Sequence, residues 1–180
     1  MKEILLRPTV ATDLSRLMGM NHSVDSEAVW KLELRREAGQ VFALFRDVRL
    51  PRPTNVLYPH DPYSLADEWL RKSMMYTATS GDLPVGYLAL VEHNPASVAW
   101  ITDLVVEPSL RRTGIASSLM SAALDWASGR SLRILMFEMQ SKNNPALRLA
   151  LKFGFEFCGY NDQYYPTRDV ALLFSRSLKK

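Results

Sequence analysis

The pattern of hydrophobic and polar positions first becomes informative at Ala28–Arg35, where apolar and polar side chains mainly alternate. A period of two is typical of a half-buried β-strand. Glu37-Ala38-Gly39 can turn the chain and Val41–Leu50 can return as the partner, so we expect a hairpin over residues 28–50. Pro51-Arg52-Pro53 should end it. A helix is the alternative, because Leu, Glu and Arg are good helix formers.

The rest of the chain alternates between the two periods. Strands are predicted at Ile4–Arg7, Met74–Ser80, Val85–Glu92, Trp100–Val106, Arg133–Gln140, Phe155–Tyr160 and Val170–Ser177. Helices are predicted at Thr12–Met20, Ser64–Ser73 and Gly114–Ala127, and a further helix from an N-cap at Asn144, with Pro145 as its first residue, to Gly154. This order predicts an α/β (α+β) fold, in which a mixed central sheet is flanked by helices and carries an extra N-terminal hairpin.

Length and composition favour an ordinary globular protein of one domain, residues 1–180. No apolar run approaches the roughly 20 residues that span a bilayer, and the first residues are too polar for a secretory signal, so a cytoplasmic location without membrane attachment is expected. A net charge of +3 favours a small acidic ligand over nucleic acid. Three scattered histidines and one cysteine predict no metal site.

The sharpest local feature is the segment Val105–Ser117, in which a buried strand ends, the chain turns and a helix begins with the small residues Gly114 and Ala116. The first amides of a helix have no helical partners and, with the positive end of the helix dipole, favour an anion such as a diphosphate. Arg111 and Arg112 add positive charge. A plain strand–turn–helix with small packing residues is the alternative, and neither GxxxxGK(S/T) nor GxGxxG is present.

Two motifs resemble the GCN5-related N-acetyltransferase (GNAT) superfamily. Arg111-Arg112-Thr113-Gly114-Ile115-Ala116 resembles its (Q/R)-x-x-G-x-(G/A) signature, and Asn143–Phe155 resembles its later N-x-x-A-x-x-L-Y-x-x-x-G-F stretch. With the strand pattern, the resemblance covers residues 74–178. It implies the GNAT fold and acetyl-CoA as the cofactor.

The resemblance also implies where acetyl-CoA binds. Its diphosphate is expected on the loop and helix start. Its pantetheine arm is expected along the strand that carries Leu104–Val106, which bulges and separates from the strand that carries Phe137–Gln140. The backbone N–H of Val105 or Val106 is the expected donor to the thioester oxygen. The cofactor-binding residues implied are Leu104, Val105, Val106, Arg111, Arg112, Thr113, Gly114, Ile115, Ala116, Ser117 and Asn143.

Within the superfamily, the chain is locally similar to bacterial ribosomal-protein N-terminal acetyltransferases, and its Tyr164-Tyr165-Pro166 segment also resembles streptothricin acetyltransferases. This implies that Glu138 is a general base acting through a water; the alternative is that its carboxylate only faces solvent. Asp103 is a reserve base, for which a structural role is the favoured interpretation. The family's usual acid is a tyrosine, but Ala150 occupies that position. Tyr164 or Tyr165, a water, or unassisted departure of the thiolate would have to replace it.

These features predict an N-acetyltransferase acting on a primary amine: a protein N-terminus, a lysine or a small aminated molecule. A non-catalytic CoA-binding module of the same fold is the alternative, and a Rossmann-like nucleotide binder a third. The 28–50 hairpin could shape acceptor specificity, extend the sheet or form a homodimer contact.

Overall fold

The computed structural model describes residues 3–93 and 97–178. The strands are β1 (Ile4–Pro8), β2 (Val24–Glu37), β3 (Gln40–Val56), β4 (Met74–Ser80), β5 (Leu83–His93), β6 (Val98–Val106), β7 (Ile134–Gln140), β8 (Glu156–Asn161) and β9 (Ala171–Ser177). The helices are α1 (Leu14–Met18), α2 (Leu65–Glu68), α3 (Ile115–Gly129) and α4 (Asn144–Lys152). The predicted mixed sheet flanked by helices is confirmed.

Seven strands are hydrogen-bonded in the order β1-β4-β5-β6-β7-β9-β8, and β2 and β3 form a separate two-stranded sheet. The pairs β1–β4, β4–β5 and β5–β6 are antiparallel, whereas β6 and β7 are parallel and are joined through α3. Parallel neighbours need such a crossover. The apolar face that the helical spacing predicted for α3 is buried, including Leu119, Met120 and Ala123.

The predicted N-terminal hairpin is present, which removes the helix alternative, but it is longer than residues 28–50. The turn falls at Gly39, whose φ is +74°, and the pairing runs out to Val24↔Val56. The expectation that Pro51-Arg52-Pro53 ends the strand was wrong. The register jumps from Ala28↔Arg49 to Ser26↔Thr54, so both prolines lie in a bulge, where no ladder N–H is required.

Two of the predicted helices are shorter than their patterns suggested. The helix expected at Thr12–Met20 is α1 preceded by a 3-10 turn at Ala11–Asp13. The one expected at Ser64–Ser73 is α2 between 3-10 turns at Pro62–Ser64 and Trp69–Arg71. Helices this short depend on tertiary packing for stability, which periodicity alone does not report.

The described residues fall into two compact units. The first comprises residues 3–22, 60–93, 97–138 and 175–178, and contains β1, β4, β5, β6, α1, α2 and α3. The second comprises Ser23–Pro59 and Met139–Phe174, and contains the hairpin, α4 and β8. In the second unit an aromatic cluster packs the hairpin, with Trp30 and Phe45 against Phe157. No helix within the described parts of the chain is long and apolar enough to cross a membrane.

Candidate active site

The strand β6 carries the bulge that the family resemblance implies. Its register with β5 shifts between Ala89↔Asp103 and Leu90↔Ile101, which leaves Thr102 as the extra residue. Its parallel register with β7 begins at Val98↔Ile134 and ends at Ile101↔Phe137. The end of β6 therefore continues beyond the last residue that pairs with β7.

Hydrogen-bond alternation fixes which amides at the end of β6 face away from β5. The N–H of Glu107 donates to the carbonyl of Val85 at 2.8 Å, so these two residues form a hydrogen-bonded antiparallel pair. Residues two apart repeat that orientation, and those between point to the other side. The N–H of Val105 is therefore directed towards β5, whereas the N–H and C=O groups of Leu104 and Val106 are directed away from it.

A glycine in β5 allows β6 to approach closely at this position. A Cβ placed on Gly86 would lie 2.8 Å from the carbonyl oxygen of Val105 and 3.4 Å from the Cα of Val106. Any side chain here would thus displace the end of β6. An isolated glycine inside a strand pattern is the sequence signal for such a close approach, and it was missed in the sequence.

The loop after β6 prepares the start of α3. A 3-10 turn at Pro108–Leu110 is followed by Arg112 with a φ of +66° and Gly114 with a φ of +100°. The Thr113 hydroxyl donates to the Leu110 carbonyl at 2.6 Å, which satisfies that side chain locally. The left-handed backbone at Gly114 disfavours any residue with a Cβ.

The helix start then presents backbone donors. The first bond of α3 runs from the N–H of Ser118 to the carbonyl of Gly114 at 3.0 Å, so the amides of Gly114, Ile115 and Ala116 precede the first helical donor. Apart from the two chain neighbours of Gly114, no heavy atom of the described residues lies within 4 Å of a Cβ placed on this glycine. That open space fits an anionic group held against the helix start, as a diphosphate would be.

Arg111 is engaged by the protein backbone. Its Nε donates to the carbonyl of Val106 and its Nη2 to the carbonyl of Asn21, both at 3.0 Å. The sequence indicated positive charge at Arg111 and the family resemblance implied a cofactor contact, but neither could show the bond to Asn21, which lies 90 positions away along the chain.

The two candidate bases lie in different surroundings. Glu138 is half-buried on β7. Asp103 is only 8% exposed. Its carboxylate accepts a hydrogen bond from the Thr102 hydroxyl at 2.7 Å and lies 3.4 Å from the ammonium of Lys72. A carboxylate paired with a cation and a hydroxyl is held in place, which supports the structural role for Asp103.

The tyrosine pair of the second unit divides by exposure. Tyr165 is 5% exposed, whereas Tyr164 is 49% exposed, and the two rings meet edge to face with centroids 5.1 Å apart. The carboxylate of Asp169 anchors their loop by accepting from Gln140 at 3.1 Å and from the Thr167 hydroxyl at 2.9 Å. Of the pair, Tyr164 has the more accessible phenol.

Asn143 precedes α4 and Ala150 lies within it. Asn143, and not Asn144 as predicted, is the N-cap: its side-chain oxygen accepts from the N–H of Ala146 at 3.1 Å. The cap leaves the side-chain amide nitrogen of Asn143 out of this bond. Ala150 is fully buried and offers no proton donor.

A histidine–tyrosine pair near the end of β6 was not foreseen. The Nδ1 of His22 lies 2.8 Å from the carbonyl of Met20 and its Nε2 lies 3.1 Å from the Tyr87 hydroxyl. Burial lowers the pKa of His22 below its ordinary value, although the Met20 carbonyl and the charge of Asp103 act in the opposite direction. In the neutral ring, Nδ1–H donates to Met20 and Nε2 accepts from Tyr87.

Comparison with known proteins places this geometry in a family. The model of the acetyltransferase (GNAT) family matches residues 41–155, which is more than half of the chain. The streptothricin acetyltransferase of Streptomyces lavendulae is 28% identical over 162 residues, covering 85% of this chain and 82% of that protein.

Solved structures share the fold. A nourseothricin acetyltransferase superposes with a TM-score of 0.80 at 21% identity, over 98% of this chain and 99% of that one. A Bacillus anthracis str. Ames protein assigned as a streptothricin acetyltransferase, in complex with acetyl coenzyme A, gives 0.75 at 21% identity over 97% and 99%. The Escherichia coli ribosomal-protein-S18-alanine N-acetyltransferase gives 0.71 at 16% identity over 99% and 96%.

The chain belongs to the GNAT acetyltransferase family. The predicted resemblance is confirmed, and so is the prediction of an acetyl-CoA-dependent N-acetyltransferase. The alternative of a non-catalytic CoA-binding module is not supported, because the family and the similar proteins are acetyltransferases.

Proposed function

We propose that this N-acetyltransferase transfers the acetyl group of acetyl-CoA to an amine of a small aminated antibiotic of the streptothricin kind. The observation that carries the proposal is the match to the Streptomyces lavendulae streptothricin acetyltransferase over 85% of this chain and 82% of that protein. A match of that extent includes the parts outside the two family motifs, where acceptor specificity is expected to differ among family members.

The start of α3 is proposed to hold the diphosphate of acetyl-CoA. The amides of Gly114, Ile115 and Ala116 are the donors, and Arg112, Thr113 and Ser117 complete the loop. Hydrogen bonds to a charged group contribute about 1.5–3 kcal/mol each, so a few of them suffice to anchor the cofactor. When bound, acetyl-CoA supplies the activated acetyl thioester.

The backbone at the end of β6 is proposed to receive the thioester and the pantetheine arm. Of the two amides considered in the sequence, that of Val106 is the better donor to the thioester oxygen, because the Val105 amide is directed towards β5. The Leu104 and Val106 amides share one direction, as an extended arm lying along the strand requires. A donor preset towards developing negative charge lowers the barrier most where water is excluded.

Glu138 is proposed as the base that removes the proton from the amine, through a water. An alkylamine with a pKa of about 10.4 is neutral in only about one molecule in a few thousand at pH 7, whereas an α-amine near 7.7–8.0 is neutral in about a tenth. A base therefore matters more for an alkylamine acceptor than for a peptide N-terminus. For the departing thiolate, Tyr164 is the preferred phenol of the pair because of its exposure.

The proposal is tested by thiol release from acetyl-CoA with three acceptors: streptothricin, a free lysine side chain and a peptide with an N-terminal alanine. We expect streptothricin to give a kcat/KM at least tenfold above the other two. A kcat/KM that is highest for the peptide would instead assign the protein to N-terminal acetylation.

A homodimer remains a separate prediction, and we place it on the outer part of the hairpin. Leu34 and Val41 there lie on the same face of the hairpin and are 42% and 68% exposed. A two-stranded ribbon is marginally stable in water, and covering these side chains would stabilise it. Sedimentation of the wild type against Val41→Lys tests this: the dimer predicts a lower mass for the variant, and a monomeric wild type contradicts it.

A further inference from the structure

Arg111 lies in the loop that is proposed to hold the diphosphate, yet its side chain bonds to two backbone carbonyls. The Nε donor reaches Val106 and the Nη2 donor reaches Asn21, each at 3.0 Å. A guanidinium is planar and rigid, so two bonds in fixed directions define the positions of both acceptors relative to each other. The side chain therefore links the end of β6 to the segment that follows α1.

The bond to Val106 falls on the side of β6 that faces away from β5. That side is known from the alternation set by Glu107 and Val85, and the carbonyl and N–H of Val106 share it. The parallel register with β7 has already ended at Ile101↔Phe137. If β6 and β7 had continued to pair, a backbone N–H of β7 would have donated on this side of β6. For the Val106 carbonyl, Arg111 supplies the donor instead.

The second anchor, Asn21, is held by its neighbours. His22 follows it and bonds to the Met20 carbonyl at 2.8 Å and to the Tyr87 hydroxyl at 3.1 Å. Tyr87 is 1% exposed and lies opposite Val105 in the β5–β6 register. Arg111 therefore spans from a segment fixed to β5 to the amide-bearing end of β6.

We propose that Arg111 is a positioning residue for acetyl transfer, which holds the Val106 peptide groups so that the Val106 N–H is directed at the thioester oxygen. This inference rests on the proposed role of β6 in receiving the thioester. It gives Arg111 an effect on the acetyl end of the donor substrate, whereas a phosphate ligand would act on the diphosphate end.

A truncated donor separates the two roles. S-acetylpantetheine keeps the thioester and the pantetheine arm but lacks the diphosphate. Arg111→Gln should lower kcat/KM at least tenfold, by the same factor for acetyl-CoA and S-acetylpantetheine, while the calorimetric Kd for CoA changes less than threefold. Arg112→Gln, an exposed neighbour in the same loop, should weaken acetyl-CoA alone.

Several results would overturn the proposal. One is a loss confined to acetyl-CoA together with a matching rise in the Kd for CoA, which would make Arg111 a phosphate ligand. Unchanged kcat/KM with both donors is another. Restoration of full activity by Arg111→Lys would also contradict it, because an ammonium cannot reproduce two bonds in fixed directions.

A second measurement keeps the inference separate from the proposed function. Hydrogen exchange of the Val106 and Leu104 amides in the protein without substrates should be at least tenfold faster in Arg111→Gln than in the wild type. That result can be obtained even if no acceptor amine is acetylated. Unchanged exchange in the folded variant would refute the positioning role, whatever the activity.

Discussion

Replacing Gly114 with glutamate should remove most of the stabilisation by CoA while leaving the protein folded. Gly114 has a φ of +100°, so any other residue there is strained by about 1–3 kcal/mol. Apart from the two chain neighbours, a Cβ on Gly114 meets no atom of the described chain within 4 Å, so the added Cβ has room in the protein itself. What the new side chain and its charge would meet is the proposed diphosphate.

The size of the effect follows from linkage. A ligand at one hundred times its Kd stabilises the native state by about 2.7 kcal/mol, which for a domain of this length raises Tm by about 5–11 °C. If the substitution weakens CoA one-hundredfold, the same concentration stabilises by only about 0.4 kcal/mol, and the shift falls to about 1–2 °C.

Thermal unfolding with and without CoA is the assay, and Gly39→Glu is the matched control. Gly39 also has a positive φ, of +74°, and open space around its Cβ, but it lies in the hairpin turn. Both variants should lose Tm without ligand, and only Gly114→Glu should lose the CoA-dependent shift. A full CoA-dependent shift in Gly114→Glu would show that the diphosphate site is elsewhere.

Three further predictions follow from single residues. Gly86→Ala should lower the free energy of unfolding by about 1–3 kcal/mol in a urea titration, and lower acetylation, because the added Cβ would lie 2.8 Å from the Val105 carbonyl oxygen. The control Gly159→Ala should cost less in the same titration, because its Cβ meets only a side-chain atom, at 3.6 Å. Glu138→Gln should lower kcat/KM more for alkylamines than for low-pKa amines, and equal losses would remove Glu138 as the base. In the wild type, the free energy of unfolding should fall as the pH drops below about 6.5, because the fold keeps His22, whose pKa is lowered, neutral while the unfolded chain gains the proton. His22→Gln should make this fall less steep, and an unchanged pH profile would contradict the reasoning.

The sequence was sufficient for most elements because their periods are strong and local. The boundaries of β4 and the apolar face of α3 agree with the structure. The errors occur where non-local pairing overrides a local signal. Pro51 and Pro53 read as a stop, yet a bulge opposite β2 absorbs them and β3 continues to Val56.

The candidate site was predictable as a segment but not as a set of contacts. The loop and the glycine at the start of α3 could be located from the motif, and the resemblance implied the bulge in β6. The choice between the Val105 and Val106 amides needed the register, and the partners of Arg111 lie up to 90 positions away along the chain. The one cysteine, Cys158, is exposed and its thiol donates to the Leu173 carbonyl, a partner that the sequence could not indicate.

Amide chemical shifts measured during titration with CoA and with pantetheine test the central claim most directly. If the start of α3 holds the diphosphate, saturating CoA should move the amide proton resonances of Gly114, Ile115 and Ala116 strongly downfield, and pantetheine should leave them in place. Resonances that stay unmoved at saturating CoA would contradict the assignment of this helix start as the cofactor site.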